Sequence, residues 1–222
     1  MLGEKGGPGV SQAAWVRGLL STFFATGRGS GRYGLFQSNL RGTDEPLDWS
    51  RAQQAAFLAM LWSDIGASIQ RSAHQHWWIR CYESDATAAL TDRTSMLNQD
   101  MGIRAILSVA NDLFFRRARE WGLDQWDTVA TGSSDAEDVS AALDSLSNTR
   151  FRPQISSFAE GLVRFDWRSF DGPRVNPDEG RTKRAYRGSG GYTVLAEDIL
   201  REVSDGQDPV ATTAAILLAK QV

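Results

Sequence analysis

The sequence predicts a mainly α-helical fold, an irregular multi-helix bundle with long loops and room for one short strand pair. Three observations predict it. Apolar residues recur at the three-and-four spacing that puts side chains on one helical face. Alternating two-residue patterns are almost absent. Residues that favour helix starts stand just ahead of several of the periodic runs.

Residues 1–10 read as a flexible lead-in rich in glycine. Trp15, Val16, Leu19, Leu20, Phe23 and Phe24 then mark a short amphipathic helix ending near Gly27. A glycine and arginine loop follows at 27–34, and Asp44, Pro46 and Asp48 mark a turn with Asp48 or Ser50 as the next cap. Ala55, Leu58, Trp62, Ile65 and Ile69 share a face of a second helix, in which Gly66 costs about 1 kcal/mol relative to alanine and marks a close crossing or a bend. The stretch His74–Tyr82 reads as a short strand or as an apolar link.

The central helix is expected over Asn98–Trp121, with Ile103, Ile106, Leu107, Ala110, Leu113 and Phe114 on its apolar face. Asn98 is positioned to cap it and Gly122 to end it. Arg104, Asn111, Arg116, Arg117 and Arg119 fall largely off that face. Ser134 and Glu137 sit at capping-box spacing before another helix, and Ile155, Phe158, Leu162 and Val163 mark the next. Residues 166–190 lose periodicity and carry two prolines, so they read as a loop. Tyr192, Leu195, Ile199 and Val203, then Val210–Ala219, supply two final helices. A soft boundary near 124–134 divides a helical region at 1–125 from one at 126–222, or the chain is one continuous domain over 11–222.

The chain has 222 residues, 41% hydrophobic and 23% charged, enough for a sizeable core and ordinary for a globular protein. A net charge of −3 gives no global attraction to nucleic acid, so such binding would come from local patches. Charge is uneven: the segment 124–144 holds six acids and no base. Arginine outnumbers lysine 21 to 3, which reflects either genomic codon bias or a use for forked contacts to phosphate. The single Cys81 forbids an internal disulfide, and no apolar run approaches the ~18 residues of a membrane span. The N-terminus carries no apolar signal core, so a cytoplasmic location without membrane attachment is expected.

Several motifs invite chemistry. Gly29-Ser-Gly31-Arg-Tyr-Gly34 spells G-x-G-x-x-G, but that fingerprint works only where the glycines join a strand to a helix, and here a helix precedes it. Arg187-Gly-Ser-Gly-Gly-Tyr192, beside Arg181, Lys183 and Arg184, is the densest basic spot and resembles a backbone nest for an anion. The competing reading is a helix start beside a solvated charge run. His74, His76 and Cys81 lack the further ligand of a tetrahedral metal site, so no metal or cofactor is expected. General bases are scarce, with two histidines in one stretch, and no hydrolase motif occurs. The tryptophans read mostly as core, with Trp77-Trp78 and Trp121/Trp126 as the alternative interaction surface.

The run Arg93–Leu107, with the helix Phe57–Ile69 before it, resembles the C-terminal half of DGQHR-domain proteins, which include DndB-like DNA phosphorothioation regulators. The similar features are the aromatic helix Phe57–Ile69, the linker His76–Ile79, Thr94, and Gly102-Ile-Arg-Ala-Ile106, which matches a G-[IF]-x-A-[IL] pattern. The match spans about residues 19–115. The naming motif belongs to an N-terminal domain outside it, and Asp205-Gly206-Gln207 copies three of its letters at the wrong end. The resemblance implies a truncated or split C-terminal part with a DNA-associated regulatory or defence role, in DNA modification or phage defence, and carries over no catalytic residue.

The sequence therefore reads as a non-catalytic helical module contacting nucleic-acid phosphates through Arg28, Arg32, Arg116, Arg117, Arg119, Lys183, Arg184 and Arg187. The expected partners are DNA and a protein partner or the missing N-terminal domain. Two other readings stay open: a protein–protein interaction or regulatory domain, and a nucleotide-binding enzyme using the 29–34 glycines.

Overall fold

Polar side chains placed one residue ahead of the first turn mark where α1, α2, α6, α8 and α10 begin. The computed structural model describes residues 10–27, 33–37, 47–82, 87–127, 134–188 and 190–220. Of these, 65% are helical and none belongs to a sheet. No helix among them is long and apolar enough to cross a membrane.

Helix α1 (Gln12–Ser21) starts at Ser11, whose hydroxyl accepts from the Ala14 amide. It stops short of Gly27, because the chain turns at 22–24 and drives Phe23 into the core. Helix α2 (Arg51–Arg71) is opened by Ser50 rather than Asp48: Ser50 and Gln53 satisfy each other's backbone amides reciprocally. The Trp77–Cys81 stretch is neither strand nor plain link but a one-turn helix, α3 (Trp77–Arg80), followed by α4 (Ala88–Thr91).

The central helix is shorter at both ends than expected. A 3-10 turn at Met96–Asn98 precedes α5 (Asp100–Arg116). Asn98 does not cap it, because its side-chain amide donates to the Thr91 carbonyl at 2.7 Å. Beyond Arg116 the chain runs through turns, and Gly122 closes these, not the helix, at a φ of 75°. Eleven of the seventeen residues of α5 are buried, so it is an enclosed helix rather than a surface one.

Helix α6 (Asp135–Leu146) starts at Ser134, and α7 (Arg152–Arg164) has proline in its first turn. Residues 166–190 are not a plain loop. They contain α8 (Pro177–Arg184), where Asn176 accepts from the Asp178 and Glu179 amides and Glu179 returns the bond to Asn176. Helices α9 (Gly191–Ser204) and α10 (Pro209–Ala219) complete the fold.

Helices α1, α9 and α10 pack on α5, α2 packs on α6 and α7, and α7 joins the two groups through α9 and α10. Elements on both sides of residue 125 share one hydrophobic core. Aromatic rings stitch its middle: Phe57 meets Phe114 at 5.1 Å, and Phe114 meets Trp121 at 5.2 Å. Asp64 receives both terminal nitrogens of Arg152, at 2.6 and 2.9 Å, which ties α2 to α7.

Buried Asn111 pins the 33–37 segment to α5. Its carbonyl accepts from the Leu35 amide at 2.8 Å and its amide donates to the Tyr33 carbonyl at 3.0 Å. Asn111→Leu strands both backbone groups, so it is expected to cost about 2 kcal/mol. A fall in the urea midpoint at unchanged slope checks this, and an unshifted midpoint would refute it.

Candidate anion-binding surface

The connection between α7 and α9 is built around a buried arginine. Arg168 is 2% exposed. Its Nε and Nη2 donate to the Asp166 carboxylate at 3.0 and 2.7 Å, and its Nη1 donates to the Pro173 and Arg174 carbonyls at 3.2 and 3.1 Å. The flanking backbone is held as well, since Met96 donates to Trp167 and Ser169 to Thr94, both at 2.8 Å. Burial raises the Asp166 carboxyl, but the Arg168 hydrogen bonds and the Lys183 charge outweigh it and leave the pKa below its ordinary value.

Lys183 belongs to this same knot. Its ammonium donates to the Asp166 carbonyl at 2.8 Å and lies 3.3 Å from the carboxylate. Burial pulls its pKa down further than Asp166 restores it. The side chain faces inward and is committed, so the expectation of Lys183 as a phosphate contact is corrected.

Holding α8 in this way presents two arginines outward. Arg184 and Arg187 both lie over the Phe170 ring, at 5.3 and 3.8 Å from its centre, and neither has an ion-pair partner among the described residues. Nearby Arg181 is paired with Asp178. The chain then passes Gly188, at a φ of 95°, and enters α9 through Gly191, where any Cβ would overlap the Tyr186 carbonyl. Gly191 leaves no room for a side chain, and Gly188 supplies a backbone conformation that residues with a Cβ rarely adopt. Tyr186 is fixed in turn, because its hydroxyl donates to Asp198 at 2.9 Å.

Behind that turn, α1, α5 and the start of α9 enclose a cleft of about 200 Å³. Arg17, Arg104, Tyr186, Gly188 and Tyr192 line it, with Asp100 as its carboxylate. The Arg104 guanidinium lies 4.4 Å from the Tyr192 ring centre. No hydrogen bond or ion pair engages it among the described residues, and its Nε is shielded from solvent without a partner. Arg17 spends its Nε on the Ala13 carbonyl at 3.2 Å and makes no ion pair among the described residues.

The remaining expected contacts lie elsewhere. Arg116 is exposed at the far end of α5, about 18 Å from Arg104 at 1.5 Å per residue, and Arg119 is exposed in the turns beyond it. Arg117 is partly used: it bonds Thr213 on α10 at 3.2 Å and pairs with Glu120. Arg28 and Arg32 lie outside the described residues, as does most of the 29–34 fingerprint. Its last glycine, Gly34, sits against the Phe23 backbone and leads into a turn rather than a helix. Of the expected contacts that lie among the described residues, Arg116, Arg117 and Arg119 stand apart from Arg184 and Arg187.

Comparison with protein-family models, curated proteins and solved structures returned no match. The surface must be judged on its own chemistry.

The tryptophan surface contracts to one residue. Trp78, Trp121 and Trp126 are buried, and Trp77 alone of the four is exposed, flanked by Arg80 and Arg174. Among the described residues no group of three or more metal-ligating side chains comes together. Cys81 is buried, with its sulfur 3.9 Å from Arg168.

Arg17 and Arg104 were absent from the residues that the sequence singles out as contacts. A signal for Arg104 was present: it stands between Ile103 and Ala105 on a helix buried nearly all round, where an arginine needs a reason. Nothing in the sequence places Arg17 with it, because the cleft they both line forms between α1 and α5.

Proposed function

We propose that the chain is a non-catalytic, nucleic-acid-associated helical module that holds phosphates through arginines. The supporting observation is two arginine pairs with no carboxylate partner among the described residues: Arg184 and Arg187 stacked on Phe170, and Arg17 and Arg104 lining the cleft behind the turn from α8 into α9. Forked guanidiniums suit phosphate oxygens, and stacking on Phe170 and Tyr192 fixes their planes without consuming their N–H donors. Arg116, exposed at the last turn of α5, offers a second contact point. The resemblance to the C-terminal half of DGQHR-domain proteins supports the same reading, and would make the role regulatory or defensive.

Binding to duplex DNA across a salt series tests it. Counterion release requires affinity to fall steeply with salt, with a slope of about −0.9 per phosphate contacted. The double variant Arg184→Ala with Arg187→Ala is expected to weaken binding and reduce that slope by about 2. Absence of binding at low salt, or a flat salt response, refutes the proposal.

A further inference from the structure

The cleft between α1, α5 and α9 has a property that the open arginines on Phe170 lack: it is closed on several sides. Its volume of about 200 Å³ falls below the roughly 300–1,000 Å³ of sites that enclose whole small molecules. One charged group fits it better than a nucleotide. Arg104 is half-buried with its guanidinium stacked on Tyr192, yet it has no acceptor among the described residues, and its Nε is shielded from solvent. A shielded donor without a partner is costly and rare in native proteins. Arg17 brings a second guanidinium from the facing helix.

The acid in the cleft sharpens the reading. Asp100 stands four residues before Arg104, at the spacing that normally pairs them on a helix surface, yet no ion pair joins them. Asp198, reached through Tyr186, is paired with Arg201 and adds little net charge. The lining thus carries two positive charges against one negative, with both guanidiniums open to an anion.

We propose that this cleft binds a single phosphate group, gripped by Arg104 and Arg17 across the α1–α5 seam. The inference rests on the nucleic-acid reading only for which molecule carries the phosphate. A phosphodiester in a strand and a terminal or free phosphate present the same oxygens.

The test uses the full chain. Inorganic phosphate is titrated by calorimetry and by thermal shift, then a short single-stranded oligonucleotide with and without a 5′-phosphate. Inorganic phosphate should bind and raise the melting temperature. Arg17→Gln, at an exposed position, should weaken it about tenfold, and Arg104→Lys should do the same because a point charge cannot fork. Asp100→Asn should tighten it by removing the opposing charge. Preference for the 5′-phosphorylated strand assigns a terminal phosphate, and equal affinity for the two strands, again lost in Arg17→Gln, assigns the backbone. No phosphate binding, or binding unchanged in Arg17→Gln and Asp100→Asn, overturns the site. Duplex binding that persists in those variants and responds to Arg184 and Arg187 leaves the broader function standing without it.

Discussion

Replacing Arg168 with methionine is expected to lower the unfolding free energy by about 3 kcal/mol, because it breaks a buried ion pair from one side. The estimate takes the lower end of that range, since the Asp166 carboxylate is 35% exposed and recovers some hydration. Two further losses act in the same direction. The Pro173 and Arg174 carbonyls lose their donor, and Arg174 occupies a left-handed backbone conformation at a φ of 56°, which an L-residue holds only where its surroundings impose it. Arg168 is the imposing group. Acid sensitivity should change with it. The Asp166 pKa is depressed below its ordinary 3.8, so its contribution is fully present above about pH 4 and is lost as pH falls through the folded value. Urea midpoints at pH 7 and pH 3 for both proteins check this: the wild type should lose more between the two. Equal midpoints at pH 7 would show that the knot contributes nothing.

The same knot explains why one region of the fold was illegible in the sequence. Helix α8, Pro-Asp-Glu-Gly-Arg-Thr-Lys-Arg, has no apolar stripe, and periodicity cannot reveal a helix that buries itself through Lys183 and Gly180. Its start was nevertheless written in Asn176-Pro177 with Glu179 three residues after the cap, a capping box that the loss of hydrophobic pattern concealed. The legible helices α2, α6, α7 and α10 combine apolar spacing with a cap or a proline start, whereas α9 was legible from its apolar spacing alone. Helix α5 was legible in its core but not at its ends, where tertiary bonds of Asn98 and the turns after Arg116 decide the boundary.

The candidate surface shows a sharper limit. Local sequence flagged Arg184 and Arg187 because they stand in a basic run. It also flagged Lys183, which differs from them only in facing Asp166, and a run of letters cannot tell inward from outward on one helix. Arg104 and Arg17 are separated by 87 positions and meet only through the packing of α1 on α5. Such pairs are legible after the helices are docked, not before.

Gly102 is the position where sequence pattern and packing coincide most tightly. It opens the Gly102-Ile-Arg-Ala-Ile106 run that resembles the G-[IF]-x-A-[IL] pattern, and Ile103, Ala105 and Ile106 are each at most 3% exposed. A Cβ at residue 102 would overlap the Met96 carbonyl oxygen, where the 3-10 turn passes over the first turn of α5. In this chain the run therefore marks a backbone crossing, and of its five residues only Arg104 reaches the cleft. Gly102→Ala is expected to destabilise by about 3 kcal/mol, the upper end for overpacking, because the obstructing atom is backbone and cannot rotate away. Helix propensity alone predicts the reverse, a gain of up to about 1 kcal/mol. Gly66→Ala in α2 isolates that term: its added Cβ meets only a Leu90 methyl at an ordinary 3.5 Å, so this variant should be neutral or more stable. Denaturant midpoints moving in the same direction in both variants would show that the crossing at Met96 does not constrain the chain.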